Sequence, residues 1–125
     1  LEVVGMTTLE QRQEALNMAN DVRLANAALR TELKGLSRED ALRRAAHVVL
    51  TLEESSGSMK VESFLSSIRG IGPQKVKAML VEIQCLTPKR LRDLSQRQRD
   101  LLADVLVGIA NKQERWSAWQ LTRTQ

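Results

Sequence analysis

At 125 residues the chain has the length of one compact domain and can bury roughly two-thirds of its unfolded surface without staples. Hydrophobic residues make up 42% and charged residues 27%, ordinary globular values, and no apolar run approaches a membrane span. The lone cysteine, Cys85, excludes an intramolecular disulfide and a cysteine zinc site and fits a reducing cytoplasm. No signal peptide is visible, and a start at Leu1 rather than Met leaves room for preceding sequence. Aromatic residues are confined to Phe64, Trp116 and Trp119; with many Ala, Leu, Arg and Gln this predicts an all-α fold. The net charge of +4 is uneven: residues 1–59 carry 7 basic and 9 acidic groups, residues 60–99 carry 9 and 3, and residues 100–125 carry 3 of each. The basic character therefore belongs to the middle segment.

A flexible arm is expected before Thr8. The first predicted helix starts at Thr8, with Gln11 at the capping-box position, and runs to about Lys34 before Gly35. Leu9, Leu16, Ala19, Val22, Leu29 and Leu33 form a narrow apolar stripe on it. At about 40 Å it is long for a small domain, so part of it is expected to project or lie across the surface. A second helix is expected from the Ser37 cap to near Glu54, with Ala41, Leu42, Ala45, Val48, Val49 and Leu52 inward. Ser55–Ser58 is the clearest loop. A third helix covers about Lys60 to Ile68 and buries Val61, Phe64, Leu65 and Ile68. The fourth opens at Pro73, a favoured first-turn residue, with Val76, Met79, Leu80 and Ile83 inward. Pro88 opens a short turn holding Leu91 and Leu94, and Ser95 caps a last helix burying Leu101, Leu102, Val105, Leu106 and Ile109. No strand signal, repeat or low-complexity segment is present.

Two features point to a polyanionic partner. Gly70, Ile71 and Gly72 run straight into Pro73. A glycine turn that opens a helix presents backbone N–H groups outward, a geometry suited to phosphate. Gly70 suits a left-handed conformation, Ile71 would plug into the core, Gly72 admits a close approach, and Lys75 and Lys77 follow in the first turns. Taken alone, Gly-x-Gly more often marks a plain connection between helices. With Leu65, Ile68, Val76 and Leu80 as its apolar frame, the segment resembles the helix-hairpin-helix pattern that grips DNA phosphates. The second feature is the cluster Lys89, Arg90, Arg92, Arg97 and Arg99, with apolar residues only at Leu91 and Leu94 and one acidic residue, Asp93. A solvated face is the bland explanation of such a run, but an unneutralised cluster repels itself unless a polyanion binds it.

From Met59-Lys60-Val61 through Leu106 the chain resembles the C-terminal half of the mycobacterial-type (actinobacterial) integration host factor family. The glycine hairpin, Lys75 and Lys77, the run Leu86 to Arg92, and Leu94 to Leu102 with Arg97-Gln98-Arg99 carry the likeness. The long polar first helix fits in position and character. The resemblance implies a small all-α nucleoid protein with a helix–two-turns–helix module that binds double-stranded DNA with little sequence preference. It further implies DNA bending or supercoil constraint, support for a phage integrase or another recombinase, and a cytoplasmic, nucleoid-associated place. Its DNA-binding positions map onto Gly70, Gly72, Lys75, Lys89, Arg90 and Arg92. The chain departs from the family at Pro73-Gln74, where the family tends to be basic, in a loosely similar second helix, and in an extension from about Gly108 to Gln125; a phage-encoded member would be compatible with that extension. The expected division is an N-terminal arm and long helix (1–36), the DNA-binding module (37–107) and a C-terminal helical extension (108–125), in a monomer or weak dimer.

Trp116 and Trp119 lie on one face of the extension and serve equally as core cover or as an interface with a partner. An enzyme is not expected. The lone His47 falls within the second helix, where partial burial is expected, Cys85 reads as a small core residue, and Glu39-Asp40 and Glu53-Glu54 read as helix-end charges. No metal-ligand spacing or cofactor motif is present. Two alternatives stay open: a ribosomal-type RNA-binding module and a protein-interaction helical module acting through the tryptophans.

Overall fold

The computed structural model describes residues 8–52, 56–112, 116 and 118. They form helices α1 (Thr8–Gly35), α2 (Arg38–Thr51), α3 (Val61–Ser66), α4 (Pro73–Glu82) and α5 (Gln96–Ala110), with 3₁₀ turns at Ser56–Ser58 and Leu91–Asp93. Among the described residues there is no strand; one isolated antiparallel bridge pairs Lys60 with Arg90. The all-α expectation holds.

Helices α2 and α5 pack side by side and make the centre of the core. They run in opposite directions: Arg43, early in α2, donates to Asn111 Oδ1 just past the end of α5 at 2.9 Å. Ser37 caps α2 by accepting from the Asp40 N–H, and Ser95 caps α5 in a reciprocal box with Gln98, the local signals that fix both helix starts. Leu42, Val48 and Val49 of α2 and Leu102, Leu106 and Ile109 of α5 are fully buried, together with Phe64 and Leu65 of α3, Met79 of α4, and Ile83 and Leu91 beyond them. Helix α2 stops at Thr51, short of the expected Glu54, because Leu52 turns left-handed at φ 50°. His47 is exposed, contrary to the expected partial burial. It shares the outer face of α2 with Arg43, Leu50 and Thr51, at i and i+4 spacing away from the core.

Helix α1 joins this core only through its C-terminal part. Asn26 and Leu33 are its buried residues, with Leu29 packed beside them. Residues 8–21 are exposed throughout, and Leu9 and Leu16 of the expected stripe are 75% and 57% exposed. The first half of α1 thus projects, as its length requires. Polar contacts join the buried Leu33 in holding the other half: Asn26 Nδ2 donates to Ser58 Oγ at 2.9 Å, and Glu32 pairs with Arg44 of α2 at 3.0 Å.

Helix α4 ends in a Schellman motif. Gln84 is left-handed at φ 60°, its N–H bonds the Val81 carbonyl, and the Cys85 N–H bonds the Leu80 carbonyl at 2.8 Å. Gln98 then clips the start of α5 to this end through the Ile83 and Gln84 carbonyls, each at 3.3 Å. Trp116 is buried against the core, and the Ala118 N–H donates to Glu82 Oε1 at 2.9 Å. Trp116 packs with the core cluster, the placement that the core-cover reading expects. Trp119 and the expected N-terminal arm lie outside the described residues.

Candidate nucleic-acid interface

The turn between α3 and α4 depends on residue type at two points. Gly70 sits at φ 83°, the left-handed region where a side chain is strained. A Cβ there would also stand 2.9 Å from Arg38 Cδ and 3.1 Å from Arg38 Nε, so the first residue of α2 lies across the turn. Ile71 is buried and anchors the turn, while Gly70 and Gly72 on either side are exposed. Gly72 is the N-cap of α4 at φ −85°, an ordinary extended conformation, and a Cβ there meets nothing within 4 Å. The fold does not require glycine at 72; its absent side chain leaves open space. No side chain caps α4, and Pro73 occupies its first position, so the positive end of the helix faces that space. Lys77 is exposed on α4 and Lys75 is half-buried.

The second site is assembled by chain pairing. The Val61 N–H donates to the Lys89 carbonyl and the Leu91 N–H to the Met59 carbonyl, both at 2.9 Å, which sets Lys60 opposite Arg90. Leu91 and Leu94 are buried and press the second 3₁₀ turn onto the core. Arg90 and Arg92 therefore face solvent, and Lys89 is half-buried beside them. The Arg90 guanidinium donates through Nη1 to the Ser58 carbonyl. The Cβ of Arg92 lies 3.2 Å from where a Cβ on Gly57 would be, so the two 3₁₀ turns are packed face to face. Asp93, the acidic residue of this turn, accepts from the Arg90 backbone N–H at 3.4 Å. A shallow cleft of about 150 Å³ runs between Lys60, Pro88, Lys89, Arg90 and Asp93. A larger one of about 500 Å³ continues past Lys60 and Lys89 toward Cys85 and Leu86. Cys85 is buried, and that burial pushes its thiol pKa up against the opposing pull of Lys89.

The bridge gathers Lys60, Lys89, Arg90 and Arg92. Arg97 and Arg99 lie on the first turns of α5: Arg97 is exposed, whereas Arg99 is half-buried and donates to Gln96 Oε1 at 2.6 Å. The glycine hairpin stands at the opposite end of α3 from Lys60, so a helix about 9 Å long separates the two cationic sites. Sequence spacing missed Lys60 as a site residue. The alternation Met59-Lys60-Val61 signals an extended residue with its charge outward, but nothing in it names Arg90 as the residue opposite.

Among the described residues no group of His, Cys, Asp and Glu side chains is placed to hold a metal ion, and no helix is long and apolar enough to cross a membrane. No protein-family model matches the chain, and no solved structure matches it significantly. Two curated relatives do. The integration host factors of Mycobacterium tuberculosis and Mycolicibacterium smegmatis are each 33% identical to it over 99 residues, which is 78% of this chain and 90% of theirs. An identity of that size over nearly the whole relative, on a chain with the all-helical form and the long leading helix that the likeness implied, places this protein in the mycobacterial-type integration host factor family.

Proposed function

We propose that the chain binds double-stranded DNA through the phosphate backbone, with little sequence preference, and acts as an architectural protein that bends or constrains the duplex in support of site-specific recombination. The observation that carries this reading is the antiparallel bridge that stands Lys60, Lys89, Arg90 and Arg92 together, four cations against Asp93, whose carboxylate accepts from the Arg90 backbone N–H, and Glu62 on the adjoining cleft. The hairpin at the far end of α3 is the second contact: the open space at Gly72 and the uncapped start of α4 receive a phosphate, with Lys75 and Lys77 close by. Arg97 extends the cationic surface onto α5, and Arg99 stiffens that first turn. Two separated grips on one duplex favour a bent path. A bend of tens of degrees costs a few kcal/mol, which several charge-assisted contacts offset. Contacts of this kind position a protein without reading bases.

Binding measured across salt concentrations tests the reading. With about 4–6 phosphates neutralised, log K falls against log salt with a slope between about −4 and −5. A flat dependence rejects it, and structured RNA displacing duplex DNA at equal concentration moves the assignment to the ribosomal-type module. Gly72→Val isolates the hairpin. Because a side chain at this position meets no neighbour and the backbone is extended, the variant keeps its helicity and melting temperature. Its affinity for duplex DNA drops about tenfold, the worth of one charge-assisted phosphate contact. Wild-type affinity in this variant reduces the turn to a connector.

A further inference from the structure

We infer that Arg38 is a phosphate-contacting residue of the hairpin site, supplied by α2 and admitted by the missing side chain of Gly70; the inference rests on the DNA-backbone reading above. Arg38 precedes the hairpin by more than thirty residues, in the acidic part of the sequence. The fold lays its side chain across the turn: from the position of a Cβ on Gly70, Cδ is 2.9 Å away, Nε 3.1 Å and Cγ 3.3 Å. The terminal guanidinium nitrogens lie farther from that point than these three atoms. Gly70 therefore does two things at once. It takes a φ of 83°, and it leaves the volume through which an arginine passes.

The position of Arg38 argues for a use beyond the helix it begins. It is the first residue of α2, at the positive end of the helix dipole, where a cation is disfavoured. Glu39 and Asp40, the next two residues, are the charges that this end favours. The hairpin suits a cation better: Gly70 to Gln74 are uncharged, Arg69 and Lys75 flank them, and the arginine brought over from α2 adds a third positive group beside the backbone dipoles at Gly72. A guanidinium has five N–H donors in a planar fork. It can hold the turn with some and a phosphate oxygen with others, and its aliphatic stem stays packed on the glycine.

The test uses the full chain and a duplex DNA fragment, with the variants Arg38→Gln and Arg38→Met, the second keeping the apolar stem, and Arg38→Lys as the charge-preserving control. Each is checked for helicity and melting temperature, and the slope of log K against log salt is the readout. Removing one phosphate contact makes the slope less negative by about 0.9 and weakens binding about fivefold at 0.15 M salt. That change in Arg38→Gln and Arg38→Met, with Arg38→Lys at the wild-type slope, is the expected result. A wild-type slope in either folded neutral variant overturns the inference, as does a reduced slope in Arg38→Lys, because packing and not charge would then matter. A flat slope in the wild-type protein fails the DNA-backbone reading itself, so the two failures are distinguishable.

Discussion

Replacing Lys60, Lys89 and Arg92 together with alanine lowers the affinity for duplex DNA about a hundredfold at 0.15 M salt, or roughly 3 kcal/mol, and makes the salt slope less negative by about 2.7. All three side chains reach solvent at least in part, none is among the fully buried residues, and surface changes of this kind leave stability within about 0.5 kcal/mol. Helicity and melting temperature are therefore expected to match wild type. Arg90 is left in place because its guanidinium holds the Ser58 carbonyl, and Ser58 in turn accepts from Asn26 of α1. Its removal would loosen the junction between α1 and the two 3₁₀ turns and confound the reading. Fluorescence anisotropy over a salt series checks the expectation. An unchanged slope in the folded triple variant would make the cluster a solvated face and remove the main support for the proposed function.

Phe64→Ala is expected to cost about 3–5 kcal/mol of folding stability, read as a lower midpoint in urea denaturation. Phe64 is fully buried and is the single phenylalanine of the chain. Domains of this size are stable by about 5–15 kcal/mol, so the loss is a large share. The consequence reaches function because of where the ring sits. It is in the middle of α3, whose N-cap is Lys60 and whose far end leads into the glycine hairpin. Softening that helix frees both cationic sites from the core together. DNA binding in this variant is expected to fall in step with the folded fraction as temperature rises. A cost below about 1 kcal/mol would show that α3 is held by other contacts.

Much of the fold was legible because its signals are local. Ser37 and Ser95 stand at helix starts with the spacing that capping chemistry needs, and Pro73 opens α4; the structure has each in that role. Gly70 is left-handed as expected, but α3 already ends at Ser66 with Ser67 as its C-cap, short of the expected Ile68. The inward faces of α2, α3 and α5 follow helical periodicity closely enough that most of their buried residues were readable in advance. Local signals misled where a residue acts against its usual preference. Leu52, Gln84 and Lys112 all take positive φ without being glycine, and each ends or follows a helix at a point that composition does not mark. His47 is similar: its placement in a helix was readable, but the expected partial burial was wrong, because it falls on the exposed face of α2 with Arg43 and Thr51.

What the sequence by itself determined is the helical class, the helix starts, the concentration of positive charge between residues 60 and 99, and enough of a recurring pattern to identify the family. What tertiary structure alone decided is which cations stand together. Lys60 joins Arg90 through two backbone hydrogen bonds, Arg38 reaches the hairpin across Gly70, Arg99 turns to its own helix, and Trp116 is buried. The physical reason is range. Capping, turn chemistry and amphipathic periodicity act within about four residues and are written in order along the chain, whereas a charged site depends on distances in space between segments thirty residues apart, and those are set only when the core has packed.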